Sequence, residues 1–314
     1  MKGLVLAAGL GTRLLPLTLC RAKPAMPYRD RPLICYCLQS LAAAGLDEVA
    51  VNLHHLPDSV RQAVGSAQVG PLKIRYSFEP EILGTAGALN PMRDWLGQDL
   101  FLLVNGKVVF DFDLRPAIEH HRCSGALATL ILVDRVAGEK FNPVFIDDSG
   151  FVTGFAETPQ EREKPGLTFT GIHLLDSRIW RFVPASGFSD MVKAVYREAL
   201  NCRQKIACYH ATGSWLEFST LERYWRLNIE ATGTSIGAGS KISGSAELIN
   251  SVIWDNVDLG DECLLENCVV ADDVQVPPHS RLKHSVLVPA RLATPQFQQY
   301  VKSGLIIYPL GTSS

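Results

Sequence analysis

Lys2 to Ala8 (KGLVLAA) is a short, continuously apolar run, and Gly9 and Gly11 follow it at once. That order constrains the fold more than any other stretch. An apolar run of this length bounded by glycine reads as a buried parallel strand whose carboxyl end faces a ligand. Glycine permits positive φ and puts no Cβ between main chain and ligand, so successive N–H groups beyond the strand can form an anion nest. Thr12 adds a hydroxyl, Arg13 a planar permanent cation, and Lys23 a compact point charge on a loop stiffened by Pro16, Pro24 and Pro27. With Arg21 they form a basic cluster in a chain of 314 residues whose formal net charge is only -2. Polyanion binding is therefore expected to be local, with no general attraction to nucleic acid or to anionic membrane.

Strand and helix patterns alternate beyond this loop. Pro32 to Ala44 has helical apolar spacing and stops at Gly45; Glu48 to Leu53 is a second strand, Pro57 to Val64 a short helix, Leu72 to Phe78 a third strand and Asp99 to Asn105 a fourth. This interval implies an α/β, doubly wound (Rossmann-like) sheet with ligands beyond the strand carboxyl ends. A dinucleotide-binding turn is the alternative at Gly9 and Gly11. It lacks its third glycine, with Leu14 in that place, and Asn52 at the second strand end supplies no acid for a ribose. In Glu79 to Gly87 (EPEILGTAG), Gly84 and Gly87 flank the small Thr85 and Ala86, which would let a flat base lie against backbone. Thr85 is a candidate cap for a helix running to Trp95, and the plain alternative is a helix-start loop. His54 and His55 have no acidic or cysteine neighbour in sequence and read as surface. The eight cysteines show no C-x-x-C pair, so they are expected to be reduced and mostly buried, with no zinc site.

From Thr234 the pattern changes. Asn250-Ser251-Val252-Ile253, Asn267-Cys268-Val269-Val270 and His284-Ser285-Val286-Leu287 recur at intervals of seventeen residues. Such a period predicts stacked coils of a short parallel β-helix, each burying its apolar face on the next. A hexapeptide-repeat acyltransferase is the rival reading for this part, but the repeats make only about three coils, and His279 and His284 lack an evident catalytic partner. The expected division is 1–232 for the α/β domain, 233–290 for the β-helix and 291–314 for a tail able to cap it. No leader and no apolar run of membrane length is apparent, so the expected location is the cytoplasm.

The first loop as a whole, G-x-G-T-R-L-x-P-L-T followed by K-P-x-x-P, resembles the signature of the sugar-phosphate nucleotidylyltransferases, or nucleotide-sugar pyrophosphorylases. The L-G-T-A-G of residues 83–87 is similar to the form in members that make GDP-mannose and related GDP-sugars, and many members carry a C-terminal left-handed hexapeptide-repeat β-helix. The resemblance implies an NTP and a sugar 1-phosphate, or the NDP-sugar, as ligands and Mg2+ as cofactor; the β-helix reads as a packing or oligomerisation module, and a homo-oligomer is expected. It assigns catalytic roles to Arg13 and Lys23, and nucleotide binding to Leu6, Ala8, Gly9, Gly11, Thr12, Glu79, Gly84, Thr85, Gly87 and Asn105. Gly106, Glu157 and Gly171 become the sugar-binding residues. Three positions depart from the family pattern. Where the strand-end motif N-G-D has its metal-binding aspartate, this chain has Lys107; where F-x-E-K-P has its lysine, it has Thr158; and Glu217 stands for the aspartate of G-x-W-x-D, the family's second metal ligand, which makes Glu217 the expected metal-binding residue. An aspartate with bound Mg2+ sums to one positive charge, as does a lysine ammonium, so reduced metal dependence is one expectation. A nucleotide-sugar-binding regulatory homologue without turnover is the other, because a point charge cannot bridge phosphate oxygens as a metal does. Asp113, farther along, reads as the cap of a helix from Leu114 to His121.

Overall fold

The computed structural model describes residues 1–66, 69–135 and 141–311. The chain divides into two compact units that are not consecutive in sequence. Met1–Gly9 and Leu33–Glu217 form the first, and Leu10–Pro32 and Phe218–Ser314 form the second.

The first unit is built on a nine-stranded sheet. Its strands are β1 (Lys2–Leu6), β2 (Glu48–Leu53), β3 (Lys73–Phe78) and β4 (Phe101–Asn105), then β6 (Ala128–Val133), β7 (Pro143–Ile146), β8 (Val152–Phe155), β9 (Leu167–Leu175) and β10 (Ile206–His210). A separate two-stranded ribbon pairs β5 (Val108–Phe110) with β11 (Trp215–Glu217). β4, β1, β2 and β3 lie side by side and parallel, in the arrangement expected of the alternating pattern. The sheet is nevertheless mixed. β9 runs antiparallel to β4, β6 and β7. Leu4, Val49, Leu103 and Leu130 are fully buried, and burial of each such side chain contributes about 1.5–3 kcal/mol. Helix Leu33–Ala43 packs against helix Pro57–Gly65, and helix Arg115–Ser124 lies on β6 and β10. Leu114, not Asp113, is the N-cap residue of that helix; Asp113 stands one residue earlier and accepts the N–H of Arg115 at 2.9 Å.

The second unit holds the predicted coils. Ser235–Ile236, Val252–Ile253, Val269–Val270 and Ser285–Pro289 stack in parallel on one face. Lys241–Ile242, Asp258–Leu259 and Gln275–Val276 form a second face, and Glu247–Ile249, Leu264–Glu266 and Arg281–Lys283 a third. Every pairing joins residues one repeat apart, as the seventeen-residue period requires. The interior is filled by Ile253, Val257, Leu259, Leu265, Val270, Val274, Val276 and Leu287. Corners recur on the same period: Asn250, Asn267 and His284 have φ of 45°, 55° and 46°, a region that asparagine tolerates better than most residues. After a 3-10 turn at Pro295–Tyr300, Leu305–Pro309 pairs antiparallel with Ser285–Pro289, and Val301–Lys302 pairs with it in turn. Residues 312–314 of the expected tail lie outside the described residues.

Leu10–Pro32 belongs to this second unit, and ionic and aromatic contacts hold it there. Arg21 makes a bidentate pair with Asp272, both contacts at 2.6 Å, and reaches Asp255 at 2.6 Å. Its guanidinium also lies 5.5 Å from the ring centroid of Trp254. Tyr224, on helix Leu221–Thr232, donates to the Pro27 carbonyl at 2.6 Å and accepts from the Trp254 indole at 2.9 Å. Arg21 is therefore withdrawn from the basic cluster expected of it, because two carboxylates of the coils neutralise it. Burial opposes its charge, yet Asp272 and Asp255 outweigh that and hold the guanidinium protonated even more firmly than usual.

Candidate active site

In the first unit the strand carboxyl ends are tied together by one side chain. Asn52, at the end of β2, accepts the N–H groups of Ala7 and Ala8 at 2.5 and 3.2 Å and donates to Glu79 at 2.7 Å. The other Glu79 oxygen accepts the N–H of Leu83 at 3.1 Å. Both side chains are buried, Asn52 at 3% exposure and Glu79 at 1%. Glu79 thus spends one carboxylate oxygen on Asn52 and the other on its own loop, and the Ala8 amide is engaged as well. Asn52 went unrecognised in sequence as an organiser. Its signal was its place at the end of an apolar strand, where a polar residue must find partners.

The 84–87 segment, expected to take a flat base, packs on one side against the main chain of residues 187–189. Gly84 has φ of 76°, and a Cβ on it would lie 2.5 Å from the Ser189 carbonyl; a Cβ on Gly87 would lie 2.6 Å from that of Gly187. The N–H groups of Ala86 and Gly87 both donate to the Ser189 carbonyl, at 2.9 and 3.3 Å. Thr85 does not cap its own helix. It accepts the N–H of Met191 at 2.8 Å and donates to Asp190 at 3.2 Å, joining Asp190 at the start of the helical stretch from Met191. The expected helix to Trp95 is instead broken into short pieces, Gly84–Gly87, Asn90–Met92 and Arg93–Leu96, around Pro91.

Asn105, Gly106 and Gly171 sit together. Gly106 donates to the Leu6 carbonyl at 3.0 Å, which brings β4 close to β1. Gly171 has φ of 79° in an irregular part of β9, and a Cβ there would fall 2.1 Å from the Asn105 side-chain nitrogen, so only glycine leaves room for that amide. Glu157 pairs with Arg197 at 2.8 Å. Thr158 opens helix Pro159–Arg162 through a capping box, its hydroxyl accepting from the Glu161 N–H at 3.2 Å while Glu161 accepts the Thr158 N–H at 3.1 Å. That local role accounts for a threonine where the family pattern has lysine.

Lys107 and Glu217 meet directly: the ammonium donates to a Glu217 oxygen. Strand register brings this about, since Glu217 stands opposite Val108 in the β5–β11 ribbon. Asp111 fastens the far end, accepting the Ser214 N–H at 2.7 Å and its hydroxyl at 2.6 Å. Glu217 is 7% exposed at its side chain and Lys107 28%. Mg2+ wants several oxygen ligands, and a lysine ammonium offers no lone pair. The residues at the two family metal positions therefore do not fit a metal ion.

The second unit carries the remaining loop residues. Gly11 has φ of 64°, and a Cβ there would lie 2.8 Å from the Thr18 methyl, so the turn demands glycine. Thr18 donates to the Gly11 carbonyl at 3.2 Å. The consecutive N–H groups of Leu10, Gly11, Thr12 and Arg13 meet no acceptor among the described residues. Lys23 is buried, and the Arg13 side chain is exposed. Thr12 and Arg13 line a cavity of about 540 Å³ with Glu222, Phe297, Tyr300 and Tyr308. Burial, and after it Asp272, pushes the Cys20 thiol up to about 12, so this loop cysteine stays protonated.

Residues 2–233 match the nucleotidyl transferase family model. The chain belongs to the nucleotidyl transferase family. Within it, a UTP–glucose-1-phosphate uridylyltransferase of Synechocystis sp. is 26% identical over 283 residues, spanning 82% of this chain and 72% of the relative. Mannose-1-phosphate guanylyltransferase 1 of Arabidopsis thaliana is 26% identical over 315 residues, spanning 91% and 86%. A Bacillus anthracis crystal structure described as a glucose-1-phosphate thymidylyltransferase superposes with a TM-score of 0.64 at 26% identity, covering 74% of this chain and 95% of that one. As a nucleotidyl transferase of this kind, the chain is a sugar-phosphate nucleotidylyltransferase by descent, with the Rossmann-like domain of its relatives. Among the described residues, no helix is long and apolar enough to cross a membrane.

Proposed function

We propose that the chain transfers a nucleoside monophosphate from an NTP to a sugar 1-phosphate. A sugar-phosphate oxygen attacks the α-phosphorus, the bond from that phosphorus to the α–β bridging oxygen breaks, and pyrophosphate leaves with the electron pair. The observation that carries this reading is the run of N–H groups from Leu10 to Arg13 that meet no acceptor among the described residues, able to serve as an anion nest within the sequence that resembles the family signature. Transfer of this type is catalysed chiefly by positioning and by neutralising phosphate charge, which needs no covalent residue. In this reading Arg13 holds the leaving pyrophosphate and Lys23 the α-phosphate. Leu6, Gly9, Gly11, Thr12 and the 84–87 loop serve the nucleotide, and Gly106, Glu157 and Gly171 the sugar. Relatives named for uridylyl, guanylyl and thymidylyl transfer leave the base open, and the L-G-T-A-G form favours GTP and mannose 1-phosphate.

The three-part division at 232 and 290 belongs to the same proposal, supported by a family match that ends at residue 233. So does self-association through the coils, whose first turn exposes Ile236 and Ile249. A second reading, a nucleotide-sugar-binding homologue without turnover, draws on Thr158, on the Glu157–Arg197 pair and on Lys107. Pyrophosphate release from the purified chain, given each NTP with a panel of sugar 1-phosphates, separates the two. The first reading expects turnover, fastest with GTP and mannose 1-phosphate. Measurable NDP-sugar binding with no release from any pair selects the second.

A further inference from the structure

We propose that Lys107 is a built-in cation that takes the place of a divalent metal, so that this chain handles nucleotide phosphates with no metal ion at Glu217. The inference rests on the transferase reading of the site and deepens it. Its ground is the direct Lys107–Glu217 contact.

Two carboxylates and one Mg2+ sum to zero charge, and so do one ammonium and one carboxylate. The substitutions at the two positions therefore balance as a pair. Glu217 supplies the reach for this, since its side chain is one methylene longer than the aspartate it replaces. The arrangement is also held in place. Antiparallel pairing sets Glu217 opposite Val108, and Asp111 grips Ser214, so the turn carrying Lys107 and the strand carrying Glu217 cannot drift apart. Glu217 is nearly shut off from solvent while Lys107 is over a quarter exposed. A metal ion reaching Glu217 would have to displace an ammonium already bonded to it, against like-charge repulsion in a partly dry site. An incoming phosphate meets the exposed side of Lys107, where an ammonium can donate to it while keeping Glu217 as its counter-charge.

The test uses the full-length protein and reads metal binding apart from catalysis. Trp215 lies two residues from Glu217 on the same strand, hence on the same face, and can sensitise Tb3+ luminescence there. The native protein should give no sensitised emission that Glu217→Gln abolishes. Lys107→Asp, which puts two carboxylates together, should gain emission that Mg2+ quenches. Lys107→Gln, a milder change at this turn, should gain none and should bind NTP more weakly. Native pyrophosphate release should change by less than about twofold between Mg2+ and EDTA, whereas Lys107→Asp should become sensitive to EDTA by about tenfold or more. Sensitised emission from the native protein that depends on Glu217, or loss of native turnover in EDTA, overturns the inference. If neither condition supports turnover, the transferase reading fails, and the Tb3+ arm alone decides what Lys107 does.

Discussion

Replacing Arg21 by methionine tests whether the loop proposed to bind phosphate owes its shape to the coils. Arg21 makes three contacts of 2.6 Å with Asp255 and Asp272, and its side chain is 20% exposed against 19% for Asp272 and 40% for Asp255. Removing one partner of a fully buried ion pair costs about 3–5 kcal/mol, because the surviving charge is left without compensation. Water reaches about a fifth of this pair, and more of Asp255, so screening brings the expected loss down to about 2–3 kcal/mol. Burial already raises the Asp272 carboxyl above its usual range despite Arg21, which marks how poorly that site tolerates a lone anion. Urea unfolding followed through Trp254, whose ring carries the guanidinium, reports the change directly. The double variant with Asp272→Asn should recover about 1–2 kcal/mol of the loss, as expected for groups in contact. Arg21 lies two residues before Lys23, so NTP affinity should fall together with stability. A loss below about 0.5 kcal/mol, or a double-mutant cycle with no coupling, would falsify the idea that this pair anchors the loop.

Gly11→Ala should cost about 1–2 kcal/mol and weaken NTP binding, since it sets a Cβ against Thr18 at positive φ; calorimetry on the variant checks both, and unchanged affinity would disconnect that turn from phosphate. Asn52→Leu leaves Glu79 buried with one partner fewer and the Ala7 and Ala8 amides unbonded, so a loss of about 2 kcal/mol or more is expected in denaturant melts. Acid should unfold the first unit in a window set by two histidines. Burial lowers His173 to about 3 and His121 to about 4, from an ordinary 6.5. Because the folded values lie below the unfolded one, the unfolded chain takes up protons first; stability is complete above pH 6.5 and falls by about 1.4 kcal/mol per histidine for each pH unit towards those lower values. His173→Gln should flatten that limb in pH-dependent melting, and an unaltered slope would refute the assignment.

The apolar strands at Lys2, Glu48 and Phe101 and the seventeen-residue period were legible because each reports local periodicity, which burial then enforces. The loop from Gly9 to Lys23 stood out for the same kind of reason, residue types with narrow uses at close spacing, and on that ground it carries the phosphate-binding proposal. What escaped was long-range pairing. Arg21 reads as one more loop cation until Asp255 and Asp272, more than two hundred residues away, come alongside it. Gly84 and Gly87 also admit a close main-chain neighbour on their Cα side, residues 187–189, which their spacing does not name. Thr85 could be recognised as a cap but not assigned to its helix, because the helix it serves begins at Met191. Lys107 and Glu217 were each visible as departures from the family pattern; that they answer one another depends on the β5–β11 register.

The reversed strand Leu305–Pro309 governs more than the end of the coils. A parallel stack presents its last rung as a template on which the edge of another molecule could continue the pattern. On one of the three faces the chain turns round and occupies that rung itself, and beyond it leaves only the two-residue Val301–Lys302, too short and too solvated to recruit a newcomer. On that face the repeat therefore ends in this chain's own strand, while the faces that close with Gln275–Val276 and Arg281–Lys283 carry no further strand among the described residues.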